Sequence, residues 1–141
     1  MGGFRSAEEF REVVDKVFTM MSTDPEMGPK LRDAETPQRF EAPDLDLVVN
    51  ITHIPGGEGE HNLKWEWTDE VDWEPDVKMT MNSEVVNRYF QGKENIAMAI
   101  ARRRIKTGGN VKKALALIPV TKPLFPRYKD MIEREYPHLV E

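Results

Sequence analysis

The residues of this chain that could do chemistry are the carboxylates Asp69, Glu70, Asp72, Glu74 and Asp76, the histidines His53, His61 and His138, and a basic run that starts at Arg102. Clustered carboxylates suit a calcium ion, but this spacing lacks the glycine and the terminal glutamate of an EF-hand loop, so it reads as a solvated turn. The histidines form no HxxxH or HExxH pair and read as surface or turn residues. There is no cysteine, no GxSxG and no P-loop, and no strand-to-helix context follows GGEGE. Nothing therefore supplies a nucleophile with its base; the chain is not expected to be an enzyme, and no metal or other cofactor is expected. Arg102, Arg103, Arg104, Lys106, Lys112 and Lys113 surround GGN at a helix start, where a carboxylate or a coenzyme A phosphate could dock. The plainer reading is a solvated strand end and helix face.

Composition narrows the classes further. Hydrophobic residues make up 39% and charged residues 32% of 141 residues, as in an ordinary globular protein, and the length suits one domain over residues 1–141. A net charge of -5 argues against nucleic acid as a partner, because phosphate binding needs a basic face. No window is apolar enough for a membrane span or a signal peptide, and the lack of cysteine agrees with a reducing compartment, so the expected location is cytoplasmic. Any contact with a membrane is expected to be transient and superficial.

The elements that must position these residues follow from hydrophobic periodicity. Ser6 and Glu9 have capping-box spacing, and Phe10, Val13, Val14, Val17, Phe18 and Met21 recur at helical intervals after them. From Gly28 to Thr36 the chain reads as irregular. Leu45, Leu47, Val49 and Ile51 alternate with polar residues as in a half-buried strand; IPGGEGEHN reads as a flexible connection, and Leu63, Trp65 and Trp67 form the return strand. Val77, Met79 and Met81 predict a third strand of the same meander. Thr36 to Ala42 would add a strand that Pro37 and Pro43 confine to the margin of the sheet. Ser83 to Phe90 reads as a short helix, Asn95 to Ala101 as a helix buried on most of its surface, and Arg102 to Thr107 as the last strand. A helix capped by Asn110 and closed by Pro119 follows, and Thr121 with Pro123 opens a final helix through Tyr136.

The order of strands, short helix, GK, alanine-bearing helix, basic strand, glycine turn and amphipathic helix resembles the sterol carrier protein (nonspecific lipid-transfer protein) family. The carrying segments are VKMTMNSEVVNRYFQGK, NIAMAIARRRIKTGGN and VKKALALI, with LKWEW and the helix near Ser6 upstream. Met98 stands where an aromatic is usual in that family, Ala101 where a glycine is, and the turn IKTGGN is longer. The resemblance implies an α+β fold, with about five mainly antiparallel strands covered by about five helices that enclose a hydrophobic cavity.

The resemblance also implies a lipid-like ligand, a fatty acid, fatty acyl-coenzyme A or sterol-like molecule, bound and transferred in an internal apolar tunnel. Trp65, Trp67, Met79, Met81, Val86, Tyr89, Phe90, Met98, Ile100, Ile105, Leu115, Phe125 and Tyr128 are the candidate lining, and Arg103 is the candidate for an anionic head group. The helix over residues 122–136 would serve as a lid. Two other readings stay open: a non-catalytic accessory subunit that presents a hydrophobic substrate to a partner enzyme, and an enzyme acting on a hydrophobic small molecule. The bland alternative is that the apolar residues simply fill one another's space, as interiors do by default.

Overall fold

A computed structural model describes residues 3–141. Helix α1 (Ala7–Thr23) opens with Ser6 Oγ accepting the Glu9 N–H at 3.1 Å, while Glu9 reaches back to the N–H of Arg5. Helix α2 (Met27–Asp33) occupies part of the stretch expected to be irregular. Pro29 is tolerated there because its missing N–H falls in the first turn, and Asp24 Oδ2 accepts the N–H groups of Glu26 and Met27. Gly28 is required by closeness: a Cβ there would lie 2.5 Å from Asn62 Nδ2 and 2.8 Å from the Ser22 carbonyl.

Five strands follow: β1 (Gln38–Ala42), β2 (Leu47–Glu58), β3 (His61–Glu66), β4 (Val77–Met81) and β5 (Ile105–Gly109). They form one sheet in the order β3-β2-β1-β4-β5. All neighbours are antiparallel except β1 and β4, which run parallel. The expected marginal strand is thus the central one: Pro37 and Pro43 lie just outside the ladder and cost it no hydrogen bond. Nor is β4 the next strand of a meander, since the chain crosses from the β3 edge back to the middle before forming it. The supposed flexible connection IPGGEGEHN is mostly strand. Gly56 and Gly57, at φ of 75° and 76°, absorb an irregularity in the β2–β3 register, and only Gly59 and Glu60 turn.

Register puts Phe40 opposite both Val49 and Met79, Ile51 opposite Trp65, and Met81 opposite Ile105, so one face of the sheet is apolar across all five strands. On the other face Arg39 and Thr80 both donate to the Glu41 carboxylate. The helices α3 (Ser83–Phe90), α4 (Ile96–Ala101), α5 (Val111–Thr121) and α6 (Leu124–Glu135) complete the fold. Three expectations about this half are corrected. Helix α4 buries Ile96 and Ala99 but exposes Ala97, Met98 and Ala101, because six residues expose whatever the sheet does not cover. Residues 102–104 form a turn and the strand begins only at Ile105. Pro119 lies inside α5, which continues to Thr121 and loses there only the hydrogen bond the proline nitrogen cannot donate.

Buried side chains form two clusters. One gathers around α1, α6, β2 and β3, with Val17, Ile132 and Leu139 fully buried. The other gathers around β4, β5 and α4, with Val77, Ala99 and Ile105 at its centre. Phe40, Val86 and Tyr89 pack against both.

Gly109 turns the chain out of β5 at φ 76°, and a Cβ on it would come within 2.1 Å of the Asp76 carbonyl oxygen. Gly109→Ala is expected to destabilise the protein by more than about 2 kcal/mol, read as a lowered urea midpoint in tryptophan fluorescence.

Candidate functional site

Between the two clusters lies an apolar cavity of about 140 Å³. Its floor is the sheet, from Phe40 and Ala42 on β1, Leu47, Val49 and Ile51 on β2, and Met79 and Met81 on β4. One wall comes from Phe10, Val14, Phe18 and Met21 of α1, with Leu31 of α2; the other comes from Ile96 and Ile100 of α4, and Val111, Ala114, Leu115 and Ile118 of α5. Val86, Tyr89 and Phe90 of α3 complete it. The space is close in size to a roughly 150 Å³ apolar cavity that stays dry and accepts benzene.

Of the residues expected to line a cavity, Trp67, Met79, Met81, Val86, Tyr89, Phe90, Ile100 and Leu115 are brought together around it. Trp65 is not. Its ring packs edge-on to Phe18, and its indole N–H donates to Asp15 Oδ1, which also accepts the N–H of Trp67. Met98 is 44% exposed on the outer side of α4. Ile105 is buried in the second cluster beside the cavity. Phe125 and Tyr128 stand behind the wall: Phe125 meets Tyr89 edge-on with ring centres 5.3 Å apart, and Tyr128 backs Phe90 at the same separation. Arg103 lies in the α4–β5 turn with a left-handed backbone at φ 60° and its side chain in solvent, so it shares no strand face with Ile105.

Sequence reading missed the α1 and β2 contributions, although both carried a signal. The stripe containing Phe10, Val14 and Phe18 and the alternation of Leu47, Val49 and Ile51 each mark a face that must be buried. What the pattern could not say is that these faces meet across a gap. The α5 face was also legible, since Ala114 and Ile118 share its stripe.

Polar groups are few in the lining. Thr36, Gln38, Glu41, Thr52 and Thr121 contribute, with the hydroxyl of Tyr89, and no Lys, Arg or His does. Thr121 Oγ1 donates to the Ile118 carbonyl at 3.1 Å, so the hydrogen bond of 3.0 Å between the two hydroxyls has Tyr89 as donor. Burial pushes the Tyr89 hydroxyl up despite the bond to Thr121, and it stays protonated at neutral pH. Both hydroxyl protons are engaged, and the cavity holds no cation to balance a buried anion.

The segment expected to act as a lid is firmly seated. Leu124, Tyr128 and Ile132 of α6 are fully buried, and Tyr128 donates to Asn87 Oδ1 at 2.7 Å. Asn87 in turn donates to the Leu139 carbonyl. Burial raises the Tyr128 hydroxyl well above its ordinary range, so it remains a donor. Among the residues that line the cavity, Leu115 of α5 is the exposed one, at 38%.

No helix of the described residues is long and apolar enough to cross a membrane. The model of the SCP-2 sterol transfer family matches residues 19–122. None of the curated proteins matches the chain. Among solved structures, a double mutant of the sec-alkyl sulfatase PisA1 shares the fold with TM-score 0.61 and 16% identity over 82% of this chain, which spans only 16% of that protein's length. The UbiJ-SCP2 ubiquinone synthesis protein aligns with TM-score 0.59 and 9% identity, covering 82% of this chain and 94% of its own. Sterol carrier protein domain 2 of Helicoverpa armigera aligns with TM-score 0.57 and 22% identity, covering 89% and 97%. At these identities the structural likeness concerns the fold.

Tyr128→Phe removes the donor to Asn87 without touching the cavity. It is expected to lower stability by about 1–3 kcal/mol in urea titration while leaving hydrocarbon uptake unchanged.

Proposed function

Since the chain belongs to the SCP-2 sterol transfer family, whose members bind and transfer lipids, we propose that its cavity takes the hydrocarbon part of a lipid-like molecule, a fatty acyl chain or a sterol-like body. The observation that carries this reading is the unfilled apolar space between two separately packed clusters. Single domains usually have one contiguous core, and native interiors leave few voids larger than a water molecule. Water gains little in a space with so few polar partners. Each methylene that enters instead contributes ~0.8 kcal/mol, so eight carbons supply on the order of 6 kcal/mol before the cost of ordering the chain.

Lining chemistry constrains the polar end of such a ligand. A carboxylate deep in the cavity would meet no cation and, at Tyr89 and Thr121, two hydroxyls whose protons are already engaged. A charged head therefore stays at the α5 mouth, and a neutral hydroxyl can go inside and donate to Tyr89. The residues that touch ligand are those around the cavity, Ala114, Val86 and Tyr89 among them; Arg103 lies outside. Acting alone, the protein is a carrier working in the cytoplasm and is not an enzyme. The fold also occurs as one sixth of an alkylsulfatase, which favours a second reading, in which the domain presents a hydrophobic substrate to a catalytic partner.

Ala114→Phe sends a phenyl ring from α5 into a space that can hold one. The expected result is a drop of at least about tenfold in affinity for a fluorescent acyl probe, with thermal stability kept or raised because a void is filled. Native mass spectrometry of the wild type should show hydrocarbon adducts that this variant lacks. Unchanged probe affinity in the variant, or a wild type that takes up no hydrocarbon, would refute the cavity reading.

A further inference from the structure

The charge of this acidic protein is strongly segregated. Between Asn95 and Lys129 the sequence has nine Lys and Arg residues and no Asp or Glu, which leaves eleven basic residues against twenty-five acids elsewhere. That basic stretch contains α4, β5 and α5, and α4 and α5 carry the solvent side of the cavity wall. Three of its cations are engaged by carboxylates from outside the stretch: Arg104 meets Glu94 at 2.6 Å, Lys113 meets Asp76 at 2.8 Å, and Arg127 meets Asp24 at 3.2 Å. The other six, Arg102, Arg103, Lys106, Lys112, Lys122 and Lys129, are exposed, and none forms an ion pair among the described residues.

Apolar side chains stand among these cations. Among the described residues, Met98 and Leu115 are the exposed large hydrophobics, at 44% and 38% exposure. Arg102 follows Met98 by one helical turn and Lys112 precedes Leu115 by one, so each apolar tip has a cation beside it on the same helical face. Apolar tips that each have a basic side chain one helical turn away match the water–lipid boundary of an anionic bilayer: hydrocarbon enters below the head groups while ammonium and guanidinium groups meet phosphate. Glu94 fixes the arrangement. Its side chain, 1% exposed, lies between Arg88 of α3 and Arg104, which ties the α4–β5 turn to the body of the protein.

We propose that this α4–α5 face docks on anionic lipid surfaces and sets the cavity mouth at Leu115 against the bilayer, where hydrocarbon passes between membrane and protein. The role of the face in exchange rests on the cavity reading above; the docking itself rests on charge and exposed apolar surface. An acidic protein would satisfy the cations, but it would not call for bare Met98 and Leu115 at the entrance to an apolar cavity.

The test is co-sedimentation with phosphatidylcholine vesicles, with and without phosphatidylglycerol, alongside uptake of a soluble fluorescent acyl probe. The wild type should sediment with the anionic vesicles only, and added salt should release it. Arg102→Glu with Arg103→Glu, both in a solvent-exposed turn, should weaken that binding by about thirtyfold or more and leave probe uptake in solution intact. Met98→Ser with Leu115→Ser should weaken it while keeping its salt dependence. Equal binding to neutral and anionic vesicles, no vesicle binding, or binding that survives charge reversal overturns the proposal, as does capture of an acidic protein without vesicle binding. A protein that takes up probe but ignores vesicles loses the docking face and keeps the cavity reading. One that docks through these residues but takes up no probe loses the cavity reading and keeps the docking face.

Discussion

The parallel ladder between β1 and β4 joins two halves that would otherwise be separate. On one side β1 continues into the antiparallel run of β2 and β3 under α1 and α2; on the other, β4 continues into β5 under α4 and α5. Phe40, in the middle of that ladder, touches the side chains of both halves. A parallel pair cannot be closed by a tight turn, so the chain must travel from the far edge of the sheet back to its middle. The resulting five-stranded sheet carries two separate clusters of buried side chains.

The cavity lies between those clusters. Side chains of α1 and α6 bury one end of the apolar face, and those of α4 and β5 bury the other. Over the middle, α3 and α5 reach inward with Val86, Tyr89, Ala114 and Ile118 but do not fill the space. Ala114 is small where a larger residue would close the gap. The polar groups that might admit water are satisfied locally, as in the Tyr89–Thr121–Ile118 chain of hydrogen bonds. The hollow is lined by buried and half-buried side chains, with Leu115 of α5 its exposed lining residue.

Electrostatics lies over this architecture in a way that a net charge of -5 conceals. Asp76 of the acidic 69–76 segment pairs with Lys113 of α5, whereas Arg102 and Lys112, at the ends of the helices that wall the cavity, pair with no carboxylate among the described residues. Trp65 and Trp67 are held by one carboxylate: Asp15 takes both indole N–H groups and ties the β3 end of the sheet to α1. The wall near Trp67 is thereby rigid, while the α5 side carries the exposed Leu115.

How much of this was legible beforehand varies by element. Helix α1, the alternating faces of β2, β3 and β4, the short helix ending at Gly92 and the asparagine cap of α5 could be read from spacing and end signals alone, because period and capping are local properties. The same pattern held an α+β fold with about five strands and a likeness to sterol carriers. It could not place β1 at the centre of the sheet, since a proline excludes itself from a ladder without saying on which side of it the strand will pair. Nor could it separate Trp67, Met79 and Tyr89, which face the hollow, from Trp65, Ile105 and Tyr128, which do not. Apolar character fixes only that a side chain leaves water; whether it then meets another side chain or an empty space depends on the distances between elements far apart in the chain. The amino-acid order decided which faces are greasy and which segment is basic, and only the tertiary arrangement decided that the greasy faces stop short of one another and that the basic segment supplies one wall of the space between them.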